Sequence, residues 1–244
     1  KLSDYVAQKV IEQGVKHVFM VTGGGAMHLN HSFGTNKALD CIFNHHEQAC
    51  AIGAEAYYRL TNRLPIVNVT SGPGGTNAIT GVYGAFVDSI AMLVISGQVK
   101  FETTVRSTGV QLRQYGDQEL DIEELVRPVT KYCVMVTDPE TIRYHIEKAI
   151  YLAKAGRPGP CWLDIPLNVQ GAQIDPETLK GFDPTEIEEP WKKTDLVQAS
   201  KRIFEKIRSA KRPVIFVGGG IRLSGEHQAF LKLVEKLQIP VVTG

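Results

Sequence analysis

Three short runs concentrate the side chains that could do chemistry. His45-His46-Glu47-Gln48-Ala49 opens a helical pattern, Thr70-Ser71-Gly72-Pro73-Gly74-Gly75-Thr76-Asn77 turns an apolar strand pattern into a second helix, and Ser96-Gly97-Gln98 closes another strand. Glu47 falls in the first turn of its helix, ahead of the small apolar residues Ala49-Cys50-Ala51-Ile52-Gly53-Ala54. The helix dipole favours an ionised carboxylate there by roughly 0.3–1 kcal/mol, whereas desolvating a buried charge costs several kcal/mol. A sheltered Glu47 is therefore suited to hold or share a proton. Left exposed, the same residue would serve only the dipole. The Ser71–Asn77 turn directly follows a strand, so its backbone lies at a strand's carboxyl end, where ligands of open α/β sheets sit. The same turn could equally be a plain connection.

Other chemistries are excluded by spacing. Gly23-Gly24-Gly25 lacks a third glycine at His28, Gly218-Gly219-Gly220 lacks one at Leu223, and no Gly-Lys-Ser/Thr occurs, so neither usual nucleotide motif is present. His45-His46-Glu47 is not a zinc-protease motif, because Cys50 stands where the second histidine would be. Ser71 has Val69 where a nucleophile elbow needs glycine. Of the remaining histidines, His17, His28, His31, His145 and His227, the one to follow toward a substrate is His28. The four cysteines are widely separated, with neither zinc-site pairs nor the density of a disulfide scaffold. The 27 lysines and arginines nearly cancel 26 acids, leaving no field to attract nucleic acid or acidic lipid. A small-molecule or protein partner is expected, in the cytoplasm by default. The start, Lys1-Leu2-Ser3-Asp4-Tyr5, shows no signal peptide. The uncharged run from Leu64 to Val87 is broken by Gly72 to Asn77 and is no membrane span.

Apolar runs alternate with helical patterns, which predicts a doubly wound α/β fold: a mainly parallel six-stranded sheet with helices on both faces. The strands fall near His17–Val21, Leu39–Phe43, Pro65–Thr70, Ala91–Ser96, Lys131–Val136 and Cys161–Ile165. Runs such as Met92-Leu93-Val94-Ile95 are apolar on both faces, as covered strands must be. Ser3 is placed to cap the first helix, Gly14 to end it, Asp138-Pro139 to start the one after Val136 and Gly156 to end that one. Between Gly97 and Gln118 lies a long polar loop of the kind that serves a site. Residues 1–170 form the expected first domain. The acidic stretch 171–193, with Pro176, Pro184 and Pro190, reads as a linker. Residues 194–244 read as an incomplete second α/β unit, its two strands too few for a covered domain. A C-terminal continuation is therefore expected.

Several further signals complete an ordered pattern: Gly23-Gly24-Gly25-Ala26, Asp88-Ser89, Gln118-Glu119, Thr130-Lys131 and Gly156-Arg157-Pro158-Gly159-Pro160. In this order the sequence resembles the N-terminal, pyrimidine-binding domain of thiamine-diphosphate enzymes of the acetolactate synthase (acetohydroxyacid synthase) type. The likeness runs from about Leu2 to Gln170 and resumes from Lys211 to Thr243 as the beginning of that family's central domain. It implies that Glu47 partners the pyrimidine N1′ and so supports the cofactor's own imino group in taking the thiazolium C2 proton. The family decarboxylates a 2-oxo acid and passes the resulting carbanion to a second carbonyl.

The resemblance also places Gln118 near the cofactor, Pro73 and Asn77 along the pyrimidine edge, and Gly24 and Gly25 where backbone approaches the reacting centre. It links Lys131 to substrate binding, and Ser89 and Arg157 to FAD in members that keep that flavin. Arg157 equally reads as a turn residue between Gly156 and Pro158. Two positions depart from the family: Asp117 replaces the usual phenylalanine, and Leu167 replaces the usual lysine. Both lie near the family's substrate pocket, which puts the choice of substrate, and acetolactate formation itself, in question. The magnesium ion and diphosphate are held in the family by a C-terminal Gly-Asp-Gly domain, whose nearest approach in this sequence is Gly116-Asp117-Gln118. No metal ligand is therefore expected in this chain. Sites in the family form between subunits, so a homodimer or higher homo-oligomer is implied, paired through the helices of Glu47 and Asn77. The chain alone is expected to be inactive and to bind the cofactor weakly. The alternative is a non-catalytic binding or assembly module, or one part of a split enzyme.

Overall fold

The apolar runs form six strands: β1 (His17–Met20), β2 (Asp40–Phe43), β3 (Ile66–Val69), β4 (Met92–Gln98), β5 (Tyr132–Met135) and β6 (Pro160–Pro166). All pairings are parallel, in the order β2-β1-β3-β4-β6-β5. The structure, a computed structural model, describes residues 1–188 and 195–244. The chain divides into two units, Lys1–Glu186 and Ile187–Gly244.

The first unit carries helices α1 (Leu2–Glu12) before β1, α2 (Met27–Thr35), α3 (Glu47–Thr61), α4 (Pro73–Val87), α5 (Val105–Thr108), α6 (Ile122–Val126) and α7 (Ile142–Lys154) between strands, and α8 (Leu167–Gly171) after β6. Every residue of β3, β4 and β6 is buried, because helices cover both faces of a parallel sheet. The edge strand β2 differs: Ile42 and Phe43 are 37% and 63% exposed, since an edge is covered on fewer sides.

One local expectation is revised. Ser3 does not cap α1, which begins at Leu2 without a side-chain cap. Burial of Leu2, Val6, Ala7 and Val10 sets the start of the helix, and Ser3 lies buried inside it, its Oγ 2.9 Å from Ser32 Oγ. The long loop after β4 is locally ordered: the Glu119 carboxylate accepts from the backbone N–H groups of Tyr115 and Gly116, each at 3.0 Å, and from that of Val105. Residues 172–186 carry one 3-10 turn, Pro184–Glu186, and belong to the first unit. Leu179 is buried and its carbonyl accepts from Arg143 at 3.1 Å, while the Phe182 N–H donates to Glu147 at 2.9 Å. The part of the expected linker at 189–193, with Pro190 and Trp191, lies outside the described residues.

The second unit comprises α9 (Leu196–Ser209), β7 (Ile215–Val217), α10 (Gly220–Leu223), α11 (His227–Leu237) and β8 (Val241–Thr243), with β7 and β8 parallel. Asp195 caps α9 by accepting from the Gln198 N–H at 3.0 Å. None of its described residues is buried, and Ile203, Phe204 and Phe216 are largely exposed, as two strands and their helices enclose no core. No described helix is long and apolar enough to cross a membrane.

Candidate functional site

Strand order locates the crevice. The chain leaves β1 toward β2 on one side and later enters β3 on the other, so the carboxyl ends of β1 and β3 flank a topological switch point, where ligands of open sheets bind. Three connections converge there: Gly23–Ala26 after β1, Asn44–Glu47 after β2 and Thr70–Pro73 after β3.

Glu47 is the first residue of α3, whose start is capped by His46 Nδ1 accepting from the Gln48 N–H at 3.1 Å. It is only 8% exposed. Asn77, one turn into α4, donates to Glu47 Oε2 at 3.0 Å. The other oxygen, Oε1, has no hydrogen bond among the described residues and lies 3.6 Å from where a Cβ on Gly74 would stand. One turn along α3, burial pushes the Cys50 thiol up to about 11, and the Glu47 charge adds to the effect.

The three connections lock onto one another. The Gly25 N–H donates to Thr70 Oγ1 at 3.1 Å, and a Cβ on Gly25 would fall 2.8 Å from Ser71 Oγ, whereas nothing lies within 4 Å of one on Gly24. Gly72 combines φ +57° with a close approach: a side chain there would strike the carbonyl of Gln118 at 2.2 Å. A glycine is needed on both counts. Gln118, exposed and at φ +54°, thus rests its backbone on the Ser71–Pro73 turn, with Asp117 exposed beside it. His28, half-buried on α2, packs its ring against Gly171 at the end of α8, which Leu167 begins. Nine of the candidate residues, Glu47, Gly24, Gly25, Pro73, Asn77, Gln118, Asp117, Leu167 and His28, therefore gather at the carboxyl ends of the strands.

Residues 1–125 match the family described as thiamine pyrophosphate enzyme, N-terminal TPP binding domain, and residues 200–244 match thiamine pyrophosphate enzyme, central domain. The chain belongs to the thiamine pyrophosphate enzyme family. It is similar to the acetolactate synthase isozyme 3 large subunit of Escherichia coli K12, 36% identical over 98% of this chain and 40% of that protein. It is also similar to the acetolactate synthase large subunits of Lactococcus lactis, 33% identical over 99% and 40%, and of Buchnera aphidicola from Acyrthosiphon pisum, 34% identical over 99% and 41%. The chain thus spans about 40% of the length of these curated relatives.

In this family member the structure keeps three candidates apart from Glu47. Ser89 precedes β4, Lys131 precedes β5 and Arg157 precedes β6, so all three lie at the amino end of the sheet. The helix α4, about 22 Å long at 1.5 Å per residue, runs between the two groups. Within one chain, Lys131 does not join Glu47; its amine donates to the Ala155 carbonyl at 2.6 Å. The signal was available, because a residue directly before a parallel strand falls at the opposite end from one directly after it. Arg157 Nε donates to Ser89 Oγ at 2.6 Å and its Nη2 to the Val87 carbonyl at 3.1 Å. Lys131 and Arg157 line a cavity of about 520 Å³ together with Tyr83, Phe86, Val87 and Pro158.

Residues missed in the sequence are the ones that buttress the turns. The buried Gln170 donates through Nε2 to the carbonyls of Gly25 and Ile165, each at 2.7 Å, and so fastens the Gly23–Ala26 turn to the end of β6. Thr70 was part of the motif, but its bond to Gly25 depends on β1 and β3 being neighbours.

Proposed function

We propose that this chain supplies the pyrimidine-binding side of a thiamine diphosphate site in an acetolactate synthase-like enzyme, which decarboxylates a 2-oxo acid and joins the remaining acyl equivalent to a second carbonyl. The observation that carries this reading is the sheltered Glu47 carboxylate at the switch-point crevice, one oxygen held by Asn77 and the other without a hydrogen-bond partner among the described residues. That donor set fits a pyrimidine, whose ring nitrogen needs an acidic partner and whose edge needs small neighbours such as Gly74. Thiamine diphosphate, when bound, supplies the electron sink for loss of carbon dioxide.

Glu47 would hold or give the proton at N1′, and Asn77 would keep its carboxylate turned toward the ring. Pro73, Gly24 and Gly25 would shape the opening, and Gln118 would close one side of it. Asp117, Leu167 and His28 would meet the substrate; a carboxylate and an alkyl group at the first two select differently from the phenylalanine and lysine that the resemblance implies. Among the described residues no group of three or more His, Cys, Asp or Glu side chains could hold a metal ion. Magnesium and the diphosphate would be held by residues beyond this sequence. A flavin, where the enzyme keeps one, would lie by Arg157 and Ser89.

A polypeptide spanning the relatives' full length is expected to consume pyruvate or another 2-oxo acid only when thiamine diphosphate and magnesium are added. The 244-residue chain alone is expected to show no such turnover. Robust turnover by the short chain, or turnover by the long one without the cofactor, would refute the reading.

Subunit pairing through α3 and α4 is part of the same proposal. These helices expose Ile52, Tyr83, Phe86 and Val87, large apolar side chains whose contact with water is disfavoured. Sedimentation is expected to show a dimer that Ile52→Asp together with Tyr83→Asp converts to monomer. A wild-type monomer at high concentration would rule the pairing out.

A further inference from the structure

The ends of β4 and β6 enclose a polar network that the cofactor reading leaves unused. Parallel register sets Ser96 opposite Asp164. Trp162 Nε1 donates to Ser96 Oγ at 2.8 Å, and Ser96 Oγ lies 2.6 Å from Asp164 Oδ1. Gln98 Nε2 donates to Asp164 Oδ2 at 3.1 Å and to the Leu120 carbonyl at 2.8 Å. An indole N–H can only donate, so Ser96 accepts from Trp162 and spends its own hydrogen on Asp164. Gln98 Oε1 accepts from the Val99 N–H at 3.0 Å, which fixes the amide with both Nε2 hydrogens directed at Asp164 and Leu120. Asp164 is 1% exposed and Gln98 is 1% exposed. The chain of donors therefore ends on the peptide two residues after Gln118, the residue whose carbonyl abuts Gly72.

We propose that Asp164, acting through Gln98, is the positioning residue that sets the Gln118–Leu120 segment against the Ser71–Pro73 turn. The proposal deepens the function given above and rests on it only in taking that segment as a border of the cofactor crevice. Its physical basis is directional: an ionised carboxylate accepts from both neighbours, whereas a proton on Oδ2 meets the Gln98 amide hydrogen, which can only donate, and forces Gln98 to turn away; on Oδ1 it would be received by the Ser96 hydroxyl after rotation. If Gln98 turns, Leu120 loses its donor. Burial pushes the Asp164 carboxyl up to about 7, so both forms occur near neutrality. Few charges face it. Over this side of the sheet α4 carries no charged side chain, and Asp121, Glu123 and Glu124 of α6 and its leading turn are paired with Arg106 and Arg127.

The test uses the 244-residue chain and needs no cofactor. Amide-exchange protection, corrected for intrinsic rates, is read at Glu119 and Ile122, whose N–H groups bond to Gly116 and to Leu120 itself. The Trp162 indole resonance is followed in parallel as the pH passes through about 7. In the wild type both signals are expected to shift together, with protection rising about tenfold, the effect of one hydrogen bond, as Asp164 ionises. Asp164→Asn is expected to leave the indole resonance flat and protection low at every pH. Gln98→Met is expected to lower protection about tenfold while the indole still titrates. A merely structural Asp164 would give a loss with no pH midpoint. Unchanged protection in Gln98→Met, which carries the test even if Asp164→Asn does not fold, overturns the assignment. Because the readout is cofactor-free, its failure leaves the thiamine diphosphate reading standing, and that reading falls by its own test at Glu47.

Discussion

Replacing Glu47 by glutamine in a polypeptide of the relatives' full length is expected to slow C2–H exchange of bound thiamine diphosphate on the order of 10²- to 10⁴-fold, the range for loss of a positioned acid–base group. The fold should survive. Glutamine has the shape of glutamate, its amide oxygen can keep the bond from Asn77 Nδ2, and the residue is capped by its neighbour His46 rather than by itself. What is lost is a group able to carry a proton, plus a dipole interaction of roughly 0.3–1 kcal/mol at the start of α3. Exchange is the right observable because it isolates proton movement from the later steps with substrate. An exchange rate equal to wild type, in a protein whose urea midpoint is also unchanged, would strip Glu47 of its proposed role.

The second large effect is on stability. Gly97→Ala places a Cβ 2.1 Å from the Gly25 carbonyl oxygen, 2.4 Å from its carbon and 2.5 Å from the Ala26 Cα. All three are backbone atoms, so no side-chain rotation relieves the contact, and either β4 or the Gly23–Ala26 turn must move. That turn is held by Thr70 Oγ1 at the Gly25 N–H and by Gln170 Nε2 at the Gly25 carbonyl, which resist the shift. We expect a loss of about 3 kcal/mol, the upper end for overpacking a core, read as a lowered urea midpoint of the first unit. Gly24→Ala is the control: nothing lies within 4 Å of the added atom and the change should stay within about 0.5 kcal/mol. Equal midpoints for Gly97→Ala and wild type would mean that the turn is not seated on β4.

These two residues also mark where sequence reasoning succeeds and where it stops. Strand and helix positions were legible because apolar runs, their spacing and their turn residues are local properties, and Glu47 at the start of its helix followed from them. The ordered motifs likewise pointed to the family. Ser3 was misread as a cap because burial of Leu2, which is not a local property, moved the helix start. Residues 172–186 look like a linker by composition, and only the structure shows Leu179 buried in the first unit.

The order of strands was not legible, since β6 inserts between β4 and β5 and nothing local records which strand becomes whose neighbour. That order decides the rest. It gathers Glu47, Asn77 and Gln118 at one end of the sheet and leaves Ser89, Lys131 and Arg157 at the other. It also brings Ser96 and Asp164, 68 positions apart, to 2.6 Å. By itself the sequence determined the elements and the chemistry they carry, because those depend on neighbours along the chain. Only the tertiary structure decided which side chains meet, because a parallel sheet pairs distant strands and sends everything before a strand to one end of the sheet and everything after it to the other.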